Sequence, residues 1–281
     1  MALVEFADFS FKYLGADFLA LRKVSASVNE GEYVVITGPS GCGKTTLCRA
    51  INGLVPHFHR GYIAGNVYVD GQNTREATVA QLASKVGLVF QNPANQLVTL
   101  NVEKEIAFGP ENLGVEPQEV RKRVEDIIDL LNLEHLREKH PHEMSGGEQQ
   151  RLAMAATLAL KPKVLVADEP TSNLDPKSAE LILGIIAELN KRNGMTVLLV
   201  EHRLDLVAKD ASRVLLMDRG QIVADGPPRD ILPMDISMEI GVGIPKATQV
   251  YRRLQAKGIE LGRVPLTGEE LAILVGEVHR L

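Results

Sequence analysis

Eight residues, Gly38-Pro39-Ser40-Gly41-Cys42-Gly43-Lys44-Thr45, constrain this chain more than any other segment. They follow a short apolar run, Tyr33–Thr37, and precede a helical pattern that begins near Lys44. The glycines let the backbone curl so that successive N–H groups point at one centre. The helix presents its free first-turn amides and positive end to the same point. The run matches G-x4-G-K-[ST], the pattern of a phosphate-binding loop between a strand and a helix. In that arrangement Lys44 reaches the β- and γ-phosphates and the Thr45 hydroxyl binds Mg²⁺. The expected nucleotide contacts are Gly38, Pro39, Ser40, Gly41, Cys42, Gly43, Lys44, Thr45 and Thr46. A glycine-rich turn matching by chance would lack the strand and helix that flank it here.

Further short apolar runs read as strands: Leu3–Phe6, Val24–Val28, Asn66–Val69, Val86–Phe90, Val164–Ala167, Thr196–Val200 and Val214–Met217. The continuously apolar VLVA and TVLLV suit strands covered on both faces, so a parallel sheet with helices on both sides is expected. Pro176–Lys191 reads as a long amphipathic helix, with Gly194 marking its end. The first third, with alternating runs such as VYVDG, predicts a small antiparallel sheet attached to the parallel one. Residues 94–160 hold no convincing strand; Val102–Phe108, Gln118–Leu131 and Gly147–Leu160 read as helices, an all-helical insertion over about 92–160. The expected organisation is a main domain over 1–235 and a small appended subdomain over 236–281, with short helices at Thr248–Ala256 and Gly268–Val275.

The chain has 281 residues, 45% apolar and 24% charged, with a net charge of −5, the composition of a folded globular protein. No basic excess marks a nucleic-acid surface. No apolar run approaches the roughly 20 residues of a membrane helix, and the start MALVEFADFSFKY lacks the pattern of a signal peptide. Cys42 and Cys48, the two cysteines, lie six residues apart and suggest neither a disulfide framework nor a metal site. Any action at a membrane is therefore expected from the water side, through a partner.

Val164-Leu165-Val166-Ala167-Asp168-Glu169 is an apolar strand ending in two acids. An aspartate at a strand's carboxyl end beside the phosphate loop can hold Mg²⁺. A glutamate next to it stands near the γ-phosphate and can orient and deprotonate the attacking water. By itself the pair also fits two solvated acids opening a turn.

Ser145-Gly146-Gly147-Glu148-Gln149-Gln150-Arg151 resembles the signature motif of ATP-binding-cassette (ABC) ATPases, usually written LSGGQ. Together with the phosphate loop and the Asp-Glu strand, it identifies the chain as similar to the ABC nucleotide-binding domain. The resemblance implies an α/β P-loop NTPase fold with a RecA-like parallel sheet, an antiparallel β subdomain, an inserted helical subdomain and a small C-terminal extension. It also implies a head-to-tail dimer in which each ATP lies between one protomer's phosphate loop and the other's Ser145, Gly146 and Gly147. A Ser-Gly-Gly turn opening a helix is a second anion cradle of amides and a hydroxyl. Two departures stand out: Met144 in place of Leu, and Glu148 in place of Gln, an added negative charge next to the site. Gln91 resembles the Q-loop glutamine that contacts Mg²⁺ or the attacking water. Ser172-Asn173-Leu174-Asp175 resembles the D-loop at the dimer interface. His202 resembles the switch histidine on the γ-phosphate, and Tyr13 the aromatic that stacks on adenine. The simpler alternative for Tyr13 is a half-buried strand residue. The resemblance thus makes Glu169, His202, Gln91 and Lys44 catalytic, and Thr45, Gln91 and Asp168 metal-associated. His57, His59, His135, His140 and His142 are read as structural or surface residues.

The stretches FQNPANQL, IAFGPEN and ADEPT, with Gly243-Ile244-Pro245 and Pro265-Leu266-Thr267-Gly268-Glu269-Glu270-Leu271 in the tail, resemble the ATPases of energy-coupling-factor (ECF) transporters. That resemblance covers nearly the whole chain. It implies two ATPase subunits, identical or paralogous, beneath a transmembrane coupling protein and a membrane substrate-binding protein, at the cytoplasmic face of the membrane. The implied cargo is a vitamin or a transition-metal ion, and Asn92–Phe108 is the implied docking surface. The alternatives are the ATPase of another import system, an ABC ATPase without a transport role, a P-loop kinase, or a module that holds ATP without splitting it.

Overall fold

The structure, a computed structural model, describes residues 2–278; Met1 and residues 279–281 of the expected tail lie outside the described residues. The chain runs β1 (Ala2–Tyr13), β2 (Leu21–Asn29), β3 (Tyr33–Thr37), α1 (Lys44–Ile51), α2 (Leu54–His57), β4 (Gly61–Val69), β5 (Gln72–Asn73), α3 (Val79–Ala83) and β6 (Val86–Val89). It continues through α4 (Val102–Asn112), α5 (Pro117–Leu130), α6 (Gly146–Leu158), β7 (Val164–Asp168), α7 (Pro176–Asn193), β8 (Thr196–Val200), α8 (Leu204–Val207), β9 (Arg213–Asp218) and β10 (Gln221–Gly226). Four helices close it: α9 (Pro228–Ile231), α10 (Asp235–Glu239), α11 (Lys246–Gln255) and α12 (Gly268–Val278).

Six strands form one sheet in the order β10-β9-β3-β8-β7-β6. All neighbours are parallel except β10, which pairs antiparallel with β9. Every residue of β3, β7 and β8 is buried, as a sheet covered on both faces requires. The two-residue period of the strand then divides their side chains between two cores. Tyr33, Val35, Leu165, Ala167, Val197 and Leu199 pack with α5, α6 and α7. Val34, Ile36, Val164, Val166, Leu198 and Val200 face the other way, onto α1 and the antiparallel sheet. The sheet therefore delivers the carboxyl ends of β3, β7 and β8 to one edge, where ligand sites of open α/β sheets lie.

The antiparallel sheet has the order β2-β1-β4-β5. β1, at 12 residues, is three times as long as the apolar run Leu3–Phe6 suggests, because the ladder continues past an irregularity at Asp8, whose φ is +47°. Between residues 94 and 160 the described residues hold α4, α5 and α6 and no strand. Val120, Val124 and Ile128 on α5 repeat every four residues and are buried. Asp175 caps α7 by accepting from Lys177 N and Ser178 N, and Gly194 ends it at φ +65°.

The tail packs against the main sheet's own core: Val242, Ile244 and Leu266 join the cluster containing β3, β7 and β8 residues. Arg229 binds Glu270 through two N–H···O bonds of 2.8 and 3.0 Å, which ties α9 to α12.

Candidate active site

Between β3 and α1 the backbone takes conformations that only glycine adopts freely. Gly38 has φ +152°, and a Cβ there would stand 2.1 Å from the Met217 carbonyl oxygen on β9. Gly43 has φ +111°, and a Cβ there would stand 2.5 Å from the Ala20 carbonyl oxygen. At these two positions the loop is wedged against β9 and the end of the β1–β2 connection, with no room for a side chain. Gly43 is the N-cap of α1 and no side chain caps the helix, so its first-turn amides face the loop without a protein side-chain acceptor. Lys44 is only 5% exposed. Its Nζ donates to the carbonyls of Gly38 and Pro39, at 2.9 and 3.0 Å. It forms no ion pair among the described residues. A buried ammonium balanced only by carbonyl dipoles is a standing attraction for an anion.

Tyr13, at the end of β1, lies half-buried beside this loop. Its hydroxyl is 3.1 Å from Thr46 Oγ1 and accepts from Arg49 Nη1 at 3.3 Å. The His59 ring meets it edge-on at 5.9 Å. Both Cys42 and Cys48 are buried, and burial pushes both thiols up.

Asp168 ends β7 and is buried, and its Oδ1 has no hydrogen-bond partner. Burial raises its carboxyl above the ordinary 3.8, opposed in part by the Thr45 hydroxyl. A buried, unpartnered carboxylate oxygen beside a hydroxyl fits a small hard cation that fills its other positions with water and phosphate oxygens. No group of three His, Cys, Asp or Glu able to enclose a metal exists among the described residues, so the protein supplies only part of such a shell. The raised value has a sign for stability. The unfolded chain ionises this carboxyl first, so stability falls as pH rises from the unfolded value through the raised folded one, and the penalty then stays constant. Asp168→Asn is expected to raise the melting temperature of the nucleotide-free protein at neutral pH while abolishing any Mg²⁺-dependent shift; thermal unfolding with and without Mg²⁺ checks both.

Glu169 follows in a left-handed conformation, φ +48°, with its amide donating to the Val200 carbonyl at 3.1 Å. That turn aims its carboxylate between two donors. Gln91 Nε2 donates to Oε2 at 2.9 Å, and His202 Nε2 lies 3.0 Å from Oε1. Two residues, from beyond the ends of β6 and β8, therefore converge on the carboxylate that follows β7.

Ser145, Gly146 and Gly147 lie elsewhere. Gly147 packs on Ser178 and Leu174 of its own chain, and the nearest atoms to a Cβ there belong to those two residues. Ser145 and Glu148 form a capping box: Ser145 N donates to Glu148 Oε2 at 2.7 Å, and Glu148 N donates to Ser145 Oγ at 3.4 Å. The bond from the Ser145 amide holds the Glu148 carboxyl below its ordinary range. Two groups expected in an anion cradle, the Ser145 amide and hydroxyl, are thus engaged within the box. Glu148→Gln keeps an acceptor for that amide and removes the charge; it is expected to lower the KM for ATP by about two- to fivefold, as loss of one partly exposed like charge implies, measured by steady-state hydrolysis.

Glu201, Thr171 and Arg203 were not singled out by sequence reasoning. Glu201 closes β8 with 3% exposure, and its carboxylate accepts from His202 N, Arg203 N and the Thr171 hydroxyl. An acid directly after five apolar strand residues was the available signal.

A glycine-wedged loop between a parallel strand and a helix, with acids at the end of a neighbouring strand, defines a P-loop nucleotide hydrolase. A family model described as ABC transporter matches residues 21–172, and the chain belongs to that family: it is an ABC-type ATPase, the ATP-binding subunit of an ABC transporter. It is 44% identical over 272 residues to a Pyrococcus horikoshii protein described as an ABC transporter ATP-binding protein, covering 96% of this chain and 95% of the other. It is 38% identical over 275 residues to the energy-coupling factor transporter ATP-binding protein EcfA1 of Clostridium perfringens, covering 96% of each. Among solved structures it resembles cbiO1 of Clostridium perfringens, part of the ABC transporter complex cbiONQ. The TM-score is 0.74, with 28% identity over 91% of this chain and 95% of that one. It also resembles the dimeric, post-hydrolysis ATP-binding cassette MJ0796 bound to ADP and Pi, with a TM-score of 0.71 and 29% identity over 80% of this chain and 99% of that one.

Proposed function

We propose that this chain is the ATPase subunit of an ECF-type importer, working as a pair of cassettes beneath membrane partners and powering uptake of a vitamin or a transition-metal ion. The observation that carries the catalytic reading is the Glu169 carboxylate held between Gln91 and His202, next in the chain to the Asp168 carboxyl that meets the Thr45 hydroxyl. The likeness to EcfA1 and cbiO1 supports the ECF type. The atoms nearest the Gly146 and Gly147 positions belong to Asn173, Leu174 and Ser178, none of them in the phosphate loop, and a second protomer is the natural supplier of that turn to each ATP.

In this reading the amides of residues 38–46 and the Lys44 ammonium bind the phosphates, and Tyr13 packs on the adenine. Asp168 and Thr45, with Gln91, hold Mg²⁺, which when bound neutralises charge on the β- and γ-phosphates. Glu169 takes a proton from a water molecule whose oxygen attacks the γ-phosphorus. The bond to the bridging β,γ-oxygen breaks, and ADP leaves with its electron pair. His202 and the partner's signature turn steady the γ-phosphate charge, so positioning and electrostatics supply the rate.

Docking falls to Asn92–Phe108. Val98 and Leu100 are apolar yet 69% and 61% exposed, and they line a cleft with Thr99, His140 and His142. The buried Glu105 carboxylate holds this loop in place by accepting from Val98 N and Thr99 N at 3.0 and 2.7 Å. No helix among the described residues is long and apolar enough to cross a membrane, and the membrane association in this reading is peripheral, on the cytoplasmic face. Co-expression with the membrane coupling protein tests the proposal. Leu100→Asp is expected to abolish co-purification and leave hydrolysis by the isolated ATPase unchanged. Retained assembly of that variant, or a wild-type chain that never co-purifies with a coupling protein, would count against it.

A further inference from the structure

We propose that Glu201 and Arg203 are positioning residues that couple the catalytic end of one ATP site to the signature turn serving the other. The inference rests on the paired-site reading above and adds the path by which the two sites sense each other.

Glu201 is a carboxylate buried to 3% exposure at the end of β8, outside the reacting groups. One oxygen accepts from His202 N at 2.8 Å and Arg203 N at 2.9 Å, and the other accepts from the fully buried Thr171 hydroxyl at 2.5 Å. The histidine-bearing turn is therefore fastened to the turn that follows Glu169. Arg203 fastens it a second time, with Nη2 donating to the Leu174 carbonyl at 3.1 Å. Between these fixings the chain is itself a tight turn, with Ser172 N bonded to the Glu169 carbonyl and Leu174 N to the Thr171 carbonyl, at 3.2 and 3.1 Å. The backbone that carries His202 is thereby hydrogen-bonded, through Glu201 and Arg203, to Thr171 and Leu174 in the turn after Glu169.

The same turn is the bed of the signature segment. A Cβ on Gly147 would stand 3.3 Å from Ser178 Oγ and 3.8 Å from Leu174 Cδ2, and one on Gly146 would stand 4.0 Å from the Asn173 carbonyl oxygen. Ser178 is held in turn by the Asp175 cap of α7, Oγ to Oδ2 at 2.5 Å. A short path thus runs by hydrogen bonds from His202 through Glu201 and Arg203 to Thr171 and Leu174, and by packing from Leu174 and Ser178 on to Gly146 and Gly147. In a pair of cassettes those glycines serve the opposite nucleotide. A shift of His202 when the γ-phosphate is lost therefore displaces the donor turn of the other site, and by linkage the reverse holds for binding.

The test is steady-state hydrolysis against ATP concentration, with ATP binding and thermal unfolding measured alongside. Wild type is expected to show a Hill coefficient approaching the number of paired sites, about 2. Arg203→Ala alters a half-buried side chain, and Thr171→Val is isosteric; both keep the catalytic residues in the sequence. Each is expected to lower the Hill coefficient toward about 1 and kcat by about tenfold, with the dissociation constant for ATP within about twofold. Thr171→Ser, which keeps the hydroxyl, is expected to restore cooperativity, and Glu201→Gln, which can still accept from both amides and donate to Thr171, to retain most of it. Cooperative hydrolysis at full rate in both Arg203→Ala and Thr171→Val would overturn the coupling path. So would equal loss in Thr171→Ser and Thr171→Val. A wild-type chain with a Hill coefficient of about 1 would overturn the coupling itself, whereas a chain that stays monomeric in Mg²⁺-ATP would overturn the paired-site reading beneath it.

Discussion

Glu169→Gln is expected to lower kcat for ATP hydrolysis by about 10²–10⁴-fold, the range for removal of a general base, and to leave ATP binding intact. The substitution is nearly isosteric and the groups that bind phosphate are untouched. Lys44 and the α1 amides belong to the loop between β3 and α1, whereas Glu169 sits past the end of β7. What changes is the proton acceptor. An amide cannot take a proton from water, and its nitrogen would face one of the two groups, Gln91 Nε2 and the His202 ring, that now lie 2.9 and 3.0 Å from separate oxygens of the carboxylate. With binding preserved and cleavage blocked, the nucleotide that bridges two cassettes persists. The variant is therefore expected to elute as a dimer in Mg²⁺-ATP and as a monomer without nucleotide. Size-exclusion chromatography and phosphate release read the two halves separately. Normal turnover by the variant would remove Glu169 from the role of base, whatever its oligomeric state.

Sequence reading reached the interior of this molecule more easily than its edges. The runs YVVIT and TVLLV carry their whole pattern locally, because every residue is buried; the expected and observed ends of β3 and β8 coincide. β10 alternates exposed and half-buried positions through QIVADG at the sheet's rim, where no continuous apolar signal exists to detect. β1 hides half its length behind the irregularity at Asp8, whose cause is pairing with β4, a partner some fifty residues away. The site divides in the same way. The phosphate loop is contiguous and so is legible as a motif. The contact of Gln91 with Glu169 spans 78 positions, and that of His202 spans 33, so only folding brings them together. Glu148 shows a different failure. Ser145-x-x-Glu148 is a capping-box pattern in plain view, yet read as a departure from a phosphate-binding motif it looked like a stray charge rather than a carboxylate with a backbone partner.

Lys44→Ala is expected to raise the dissociation constant for ATP by about a hundredfold or more, and Lys44→Met, which keeps the apolar stem, to do the same. The ammonium is 5% exposed, so water does little to solvate it. Its present partners are two neutral carbonyls, those of Gly38 and Pro39, and no acid side chain pairs with it among the described residues. When a triphosphate enters, the same Nζ exchanges neutral acceptors for charged oxygens a short swing away. Hydrogen bonds to charged groups contribute about 1.5–3 kcal/mol each, so two of them amount to about 3 kcal/mol or more, and each 1.4 kcal/mol is about tenfold in affinity. The fold itself loses less, because the loop stays wedged by Gly38 against Met217 and by Gly43 against Ala20, contacts that do not involve the lysine. The measurement is calorimetric titration with ATP, with thermal unfolding of each variant to show that the loop's surroundings are intact. A dissociation constant within about twofold of wild type in folded Lys44→Met would mean that the charge buried in this loop is not what holds the nucleotide, and the helix amides alone would have to carry the binding.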